Sequence, residues 1–262
     1  MQQVRGWMLV VVLCCAAGAA IAEESDARLP EAQTAFDEAN TLWDAGQYAD
    51  AIARGEQALA LREAELGGSH PDVARCLDML GLRHLLQGNP ARAEPLLERA
   101  LAIREAALGK NHPEVAQTLT TLGKLHADQA LYGRAEPLLE RALAIREAAL
   151  GKNHPLVAEP LHQLANLYFF QRMYARAEPL YARALSLREA GLGKDHPELT
   201  QTLYDFAYFY HLQGLYARAE PLYVRALAIR EAALGKSHPD AATLLHDLAA
   251  LYWVQEQHAR VE

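Results

Sequence analysis

The chain has 262 residues and a formal charge of −8; it is 51% hydrophobic and 22% charged, with 16 Gly and 12 Pro. This composition excludes a disordered or collagen-like chain. The acidic balance, with no Lys/Arg run, also excludes a general nucleic-acid binder, which needs a basic face. Alanine and leucine dominate, and β-branched residues are sparse beyond the first dozen positions, which favours helix over strand.

Residues 1–22 read as a secretory signal peptide. Arg5 precedes an apolar run from Trp7 to Cys15, and Ala20-Ile21-Ala22 then offers a small-x-small cleavage site before Glu23-Glu24. The run is too short for a membrane span. Export to a bacterial periplasm or beyond is the expected outcome, with no stable membrane insertion after cleavage after Ala22. A lipid anchor through Cys14 or Cys15, an uncleaved anchor, and no export at all are the alternatives. Cys76 is the sole cysteine after this segment, so no intramolecular disulfide can form; it reads as a small apolar filler in a helix.

The rest of the chain repeats itself. His-Pro stands at His70-Pro71, His112-Pro113, His154-Pro155, His196-Pro197 and His238-Pro239, always 42 residues apart, and Arg92-Ala93-Glu94-Pro95 returns at Arg134, Arg176 and Arg218. Each unit predicts two helices. In the third, Pro113 opens the first, whose Leu119, Leu122 and Leu125 form one stripe. The second runs from about Arg134 to Leu150, with Ala135, Leu138, Leu139, Ala142 and Ile145 inward and Pro137 in its first turn. Gly151 stops it, as do Gly109, Gly193 and Gly235 in their units. The hairpins span about 30–67, 71–109, 113–151, 155–193 and 197–235, followed by a final helix at about 239–256. Together, residues 23–262 form one repeat domain.

Small residues form columns: Ala39, Gly81, Gly123, Ala165, Ala207 and Ala249 on the first helices, then Ala51, Ala93, Ala135, Ala177 and Ala219, and Ala58, Ala100, Ala142, Ala184 and Ala226 on the second. They allow close backbone approach, and stacking of hairpins buries a ribbon that one hairpin cannot bury alone. After the last helix, Arg260-Val261-Glu262 imitates Arg218-Ala219-Glu220. Either the final helix is a cap, or the array continues in a longer protein; Leu251, Tyr252, Trp253 and Val254 make a poor cap and favour the latter.

These columns, the Gln47-Tyr48, Leu131-Tyr132 and Leu215-Tyr216 turns, and the 42-residue interval resemble tetratricopeptide repeats. Ala102-Ile103-Arg104-Glu105 with Leu108-Gly109, and Ala228-Ile229-Arg230-Glu231 with Leu234-Gly235, resemble the longer repeats of kinesin light chain and similar bacterial proteins. The resemblance covers about residues 29–262. It implies an all-α fold, a right-handed superhelical solenoid of antiparallel helix hairpins, and a concave groove that takes a peptide or a partner protein's tail.

First helices line the inner face of such a superhelix. Counting from the small-residue column places Asp78, Leu82, Leu86, Thr120, Lys124 and Asp128 there in the earlier units. The later units contribute His162, Asn166, Phe169 and Phe170, then Tyr204, Tyr208, His211 and Leu212, and finally His246, Ala250 and Trp253. His162, Asn166, Phe169, Tyr204, Tyr208, His211, His246 and Trp253 are the partner-binding candidates, the aromatic ones as rigid interface anchors. Packing between neighbouring helices is the competing account for Phe169, Tyr204, Tyr208 and Trp253. Tyr168, Tyr210 and Tyr252 fall in a column expected to be buried. The asparagine pair of kinesin-type inner walls is replaced by Thr120-Thr121, His162-Gln163, Tyr204-Asp205 and His246-Asp247, so that family's grip on a peptide backbone does not transfer directly.

Eleven histidines raise the question of metal or acid–base chemistry. The five of the His-Pro column lie on the order of 10 Å apart, the spacing of packed helices, whereas zinc ligands each sit about 2 Å from the metal. No His-Glu-x-x-His, cysteine pair or phosphate-cradling glycine loop occurs. No catalytic, metal or cofactor site is expected. The reading is a non-enzymatic protein–protein scaffold. The alternatives are the recognition arm of a larger enzyme or signalling protein, and a self-assembling array joined through the final helix.

Overall fold

The computed structural model describes residues 28–235 and 239–259. The signal segment with its cleavage point, His238, and Arg260-Val261-Glu262 lie outside the described residues. Every regular element among the described residues is helical: α1 (28–44), α2 (Tyr48–Leu66), α3 (Pro71–Leu86), α4 (Pro90–Leu108), α5 (Pro113–Asp128), α6 (Tyr132–Leu150), a 3-10 turn (Pro155–Val157), α7 (Ala158–Phe170), α8 (Tyr174–Leu192), α9 (Leu199–His211), α10 (Tyr216–Leu234) and α11 (Pro239–Ala259). The described residues divide into two compact units, one up to Thr121 and one from Leu122, with the boundary inside α5. In each, consecutive helices pack as antiparallel hairpins, α3 on α4 in the first and α7 on α8 and α9 on α10 in the second.

The His-Pro pairs have a local cause. Pro71 and Pro113 occupy the first position of α3 and α5, where a missing N–H costs nothing, and Pro155 opens the 3-10 turn before α7; Pro197 stands two residues ahead of α9. Nδ1 of His70 accepts the backbone N–H of Asp72 at 3.1 Å. His112, His154 and His196 do the same for Glu114, Leu156 and Glu198 at 3.2, 3.2 and 3.3 Å. Each ring satisfies one of the donors that a helix start leaves without an intrahelical partner. At the other end of each hairpin, Gly67, Gly109, Gly151, Gly193 and Gly235 take φ between 80° and 89°, where a side chain would be strained.

A second column of positive φ makes the turn inside each hairpin: Gly46, Gly88, Ala130, Arg172 and Gly214. Ala130 and Arg172 hold it at a cost of about 1–2 kcal/mol each, the ordinary penalty for a residue with a Cβ. Glu256 stands at the equivalent place, yet α11 stays helical through it to Ala259, beyond the expected end at 256.

The second helices begin earlier than their sequence suggests. α6 starts at Tyr132 rather than Arg134, so Pro137 falls in the second turn, not the first. The helix tolerates it because Pro137 and Gly133, whose carbonyl loses its i+4 donor, are both exposed and water can serve that carbonyl. Pro95, Pro179 and Pro221 repeat the arrangement.

In α2, α4 and α6 a buried arginine reaches the start of the next hairpin. Arg62 and Arg104 donate to the backbone oxygens of Asp72 and Glu114 at 3.1 and 3.0 Å, and Arg146 donates to that of Leu156. Arg62 also donates to Cys76 Sγ at 3.3 Å, so the thiol is a hydrogen-bond acceptor as well as a filler. Burial pushes that thiol up from its ordinary value, against the pull of Arg62.

The units differ in filling. The first is aliphatic, with Val73, Ala74, Leu77, Ala100 and Ile103 in one cluster. The second is aromatic: Tyr181 stacks on Phe206 at 5.3 Å, and Phe209 and Tyr223 are fully buried. Each such ring contributes about 1.5–3 kcal/mol by leaving water. The small-residue column makes room for these residues. A Cβ on Gly123 would lie 2.5 Å from Leu139 Cγ, and one on Gly81 would lie 2.6 Å from Leu97 Cγ. Ala249 is the exception in its column, being exposed where Ala165 and Ala207 are fully buried.

Candidate functional site

The first helices of the second unit, α7, α9 and α11, present one face. Along it runs a ladder of polar contacts between residues 43 apart. His162 Nε2 lies 2.8 Å from Asp205 Oδ2, and the Tyr204 hydroxyl donates to Asp247 Oδ2 at 2.9 Å. Burial and the Asp247 carboxylate push the Tyr204 phenol upward. Its ring stacks on that of Tyr208, one helical turn away, with centroids 6.2 Å apart and planes 6° from parallel.

The eight candidate residues do not share one fate. His162 is 2% exposed; its second ring nitrogen lies 3.4 Å from Arg188, which also binds Thr202 and Glu159. Burial pushes the Glu159 carboxyl upward, but Arg188, His162, Gln163 and Arg146 together hold it below its ordinary value. Phe169 is 7% exposed and set edge-on to Tyr208 and Phe209 at 6.0 and 5.8 Å, so it belongs to the core. Asn166, Tyr204, Tyr208 and His211 are half-buried, while His246 and Trp253 are exposed. Packing thus turns His162 and Phe169 inward and leaves the tyrosine pair, His246 and Trp253 open.

In the other inner-face positions, Asp78 is committed to Arg104 and Thr118, and burial lifts its carboxyl to about 6. Lys124 pairs with Asp128 at 2.8 Å. Leu86, Phe170 and Leu212 are more than half exposed, forming a sparse apolar column.

Sequence reasoning missed Tyr223. It lies 16 residues after Ala207, as Tyr181 does after Ala165, so it takes the place that Leu97 and Leu139 fill in earlier hairpins. Tyr181 donates its hydroxyl to Asn166 Oδ1. The residue equivalent to Asn166 is Tyr208, and the Tyr223 hydroxyl, fully buried, has no hydrogen-bond partner. The aligned substitution of Asn by Tyr in one column and Leu by Tyr in the other was the available signal. Nδ1 of His211, whose ring meets that of Tyr223 edge-on at 6.0 Å, is buried without a partner too.

The Tyr168 column, expected to be buried, forms clasps between hairpins. Tyr168 and Tyr210 are 3% and 4% exposed and donate to Glu136 and Glu178 at 2.8 and 3.0 Å. Arg176 and Arg218 lie over their rings at 3.8 and 4.4 Å and pair with the same glutamates. Tyr252 departs from that expectation. It bonds Glu220 at 3.1 Å but is 45% exposed, because no second helix covers α11 among the described residues.

A cleft of 860 Å³ between α1 and α2 is lined by polar side chains, among them Asp37, Glu38 and Asp50, with Arg54 already paired to Glu38 at 3.0 Å. Among the described residues, no three of His, Cys, Asp or Glu gather as a metal site. No described helix is long and apolar enough to cross a membrane.

The tetratricopeptide repeat profile matches residues 30–106, 84–148, 114–190 and 198–262. No curated protein matches the chain. Among solved structures, a putative kinesin light chain of Podosopora anserina with nearly identical TPR-like repeats is 23% identical, with a TM-score of 0.60 over 78% of this chain and 97% of that one. BtubC (BKLC) from P. vanneervenii is 22% identical, with a TM-score of 0.56 over 82% and 94%. A thermophilic TPR protein of Thermus thermophilus, TTC0263, is 20% identical, with a TM-score of 0.54 over 85% and 99%. At these identities the likeness is one of fold.

Proposed function

Because this chain belongs to the tetratricopeptide repeat family, whose scaffolds typically serve protein–protein interaction, we propose that it acts by docking a segment of a partner protein on the first-helix face of its second unit. The observation that carries this reading is the half-buried, stacked Tyr204–Tyr208 pair. Parallel rings held on a helix offer a large apolar surface at little entropic cost, the kind of anchor around which interfaces concentrate their energy. No catalytic role is part of this reading.

The test is site-specific photo-crosslinking in the native host. A photoreactive phenylalanine at Tyr208 is expected to trap a discrete partner band, and the same group at Val224, exposed on α10, is not. Equal trapping at both sites, or none at 208, rejects the reading. We also propose that the chain is exported and cleaved after Ala22; the N-terminal sequence of the native protein decides this.

A second reading rests on α11. Leu245, Tyr252 and Trp253 are 46%, 45% and 64% exposed, an apolar face of the sort that associates. On this reading a second copy covers it.

A further inference from the structure

We propose that the face between α9 and α11 recognises a basic segment, with a lysine or arginine side chain of the partner lying along the Tyr204–Tyr208 pair and its charge against Asp205 and Asp247. This rests on the docking reading above and names the chemistry of the occupant.

Asp205 and Asp247 occupy one column of the repeat, in which the earlier members are Met79, Thr121 and Gln163. The first member, on α1, is Asp37; within the second unit, charge enters the column after Gln163, at its last two positions. Asp205 is bonded to His162, Asn166 and Gln201, and Asp247 to the Tyr204 hydroxyl. Among the described residues, no lysine or arginine pairs with either. Elsewhere the chain does otherwise: Asp78 has Arg104, Glu159 has Arg188, and Glu136 and Glu178 have Arg176 and Arg218. Arg230 lines an adjoining cavity of 270 Å³ with Gln201, Tyr204, Thr243 and Leu244. A half-buried carboxylate with no lysine or arginine against it is favoured further by an added cation.

The buried Tyr223 hydroxyl points to the same place. It has no hydrogen-bond partner, and its ring meets that of Tyr204 edge-on at 5.8 Å. Asp205 and Asp247 add acceptor oxygens that no lysine or arginine meets among the described residues. Lysine and arginine heads are donors only, and their stems and charge both suit the faces of stacked tyrosines. A carboxylate-bearing segment would instead meet two like charges.

The experiment is an anisotropy titration of the full chain with three labelled peptides of equal length on a Gly-Ser background, carrying Lys, Gln or Glu at the same positions. The Lys peptide is expected to bind about tenfold or more tighter than the Gln peptide, and Asp205→Asn with Asp247→Asn to remove that margin. Asp44→Asn with Glu56→Gln, exposed on α1 and α2 and outside that column, makes the same change in net charge and is expected to leave the margin within about twofold. Equal loss in both double variants means bulk attraction and overturns the inference, as does a Glu or Gln peptide binding as well as Lys, or no Lys binding. If all three peptides bind alike and Tyr204→Ala with Tyr208→Ala abolishes all binding, the docking reading stands while the basic occupant falls. Circular dichroism of each variant confirms unchanged helix content.

Discussion

The Tyr210 hydroxyl lies 3.0 Å from Glu178 Oε1, one hairpin back in the chain, and Arg218 covers the ring while pairing with that glutamate. The clasp ties two hairpins through a neutral phenol. Burial and the glutamate push that phenol up to about 12. A phenol whose proton is held more tightly in the folded chain contributes stability that is fully present below about pH 10 and is lost as pH rises toward 12. Tyr168, Tyr181, Tyr204 and Tyr223 are raised as well. Alkaline unfolding is therefore expected to begin above about pH 10, with phenolate absorbance and loss of helix rising together. Tyr210→Phe should cost about 0.5–1.5 kcal/mol at neutral pH. Tyr252→Phe, at an exposed clasp, should cost much less.

The histidine caps give a second measurement. His112→Ala removes the acceptor for Glu114 N–H and is expected to cost about 1 kcal/mol in chemical unfolding, whereas His112→Asn should recover most of it. A loss with Asn equal to that with Ala would show that the ring acts by packing rather than by its nitrogen.

Gly123→Ala tests the close approach of α5 and α6. The added methyl lies 2.5 Å from Leu139 Cγ and should destabilise by about 1–3 kcal/mol, the usual range for an overfilled core. Leu139→Met, unbranched at Cγ, should return part of that loss in the double variant. Unchanged stability in Gly123→Ala would mean that Leu139 moves freely.

For the α11 face, Trp253→Glu places a charge on a side chain that is 64% exposed. If a second copy covers α11, the solution mass measured by light scattering should fall with no loss of helix. An unchanged mass rejects self-association through this residue.

Much of the fold is legible in the chain because its signals are local and repeated. The His-Pro caps, the glycine stops and the alanine columns act within one hairpin, and each recurs every 42 residues. Side-chain fate on the candidate face is less legible, because it depends on a neighbour in another column. His162 and Tyr204 hold equivalent positions, yet Arg188 and Asp205 draw the histidine in, while the tyrosine stays half open. Tyr210 and Tyr252 are equivalent as well, and only what packs over them separates 4% exposure from 45%. The late position of Pro137 escapes sequence reasoning because helix starts are set by the turn before them, here by Ala130 at positive φ.

The arginines that join one hairpin to the next bond to main-chain oxygens, and the residues supplying those oxygens are an aspartate, a glutamate and a leucine. A joint that ignores the identity of its acceptor survives any exchange of units. Genes encoding such a chain can gain or lose whole 42-residue blocks by unequal crossing-over, and a boundary newly created after α2, α4 or α6 finds its arginine a carbonyl without a compensating substitution. The length of the array is in this sense an evolvable quantity, free to track the size of whatever the chain must hold.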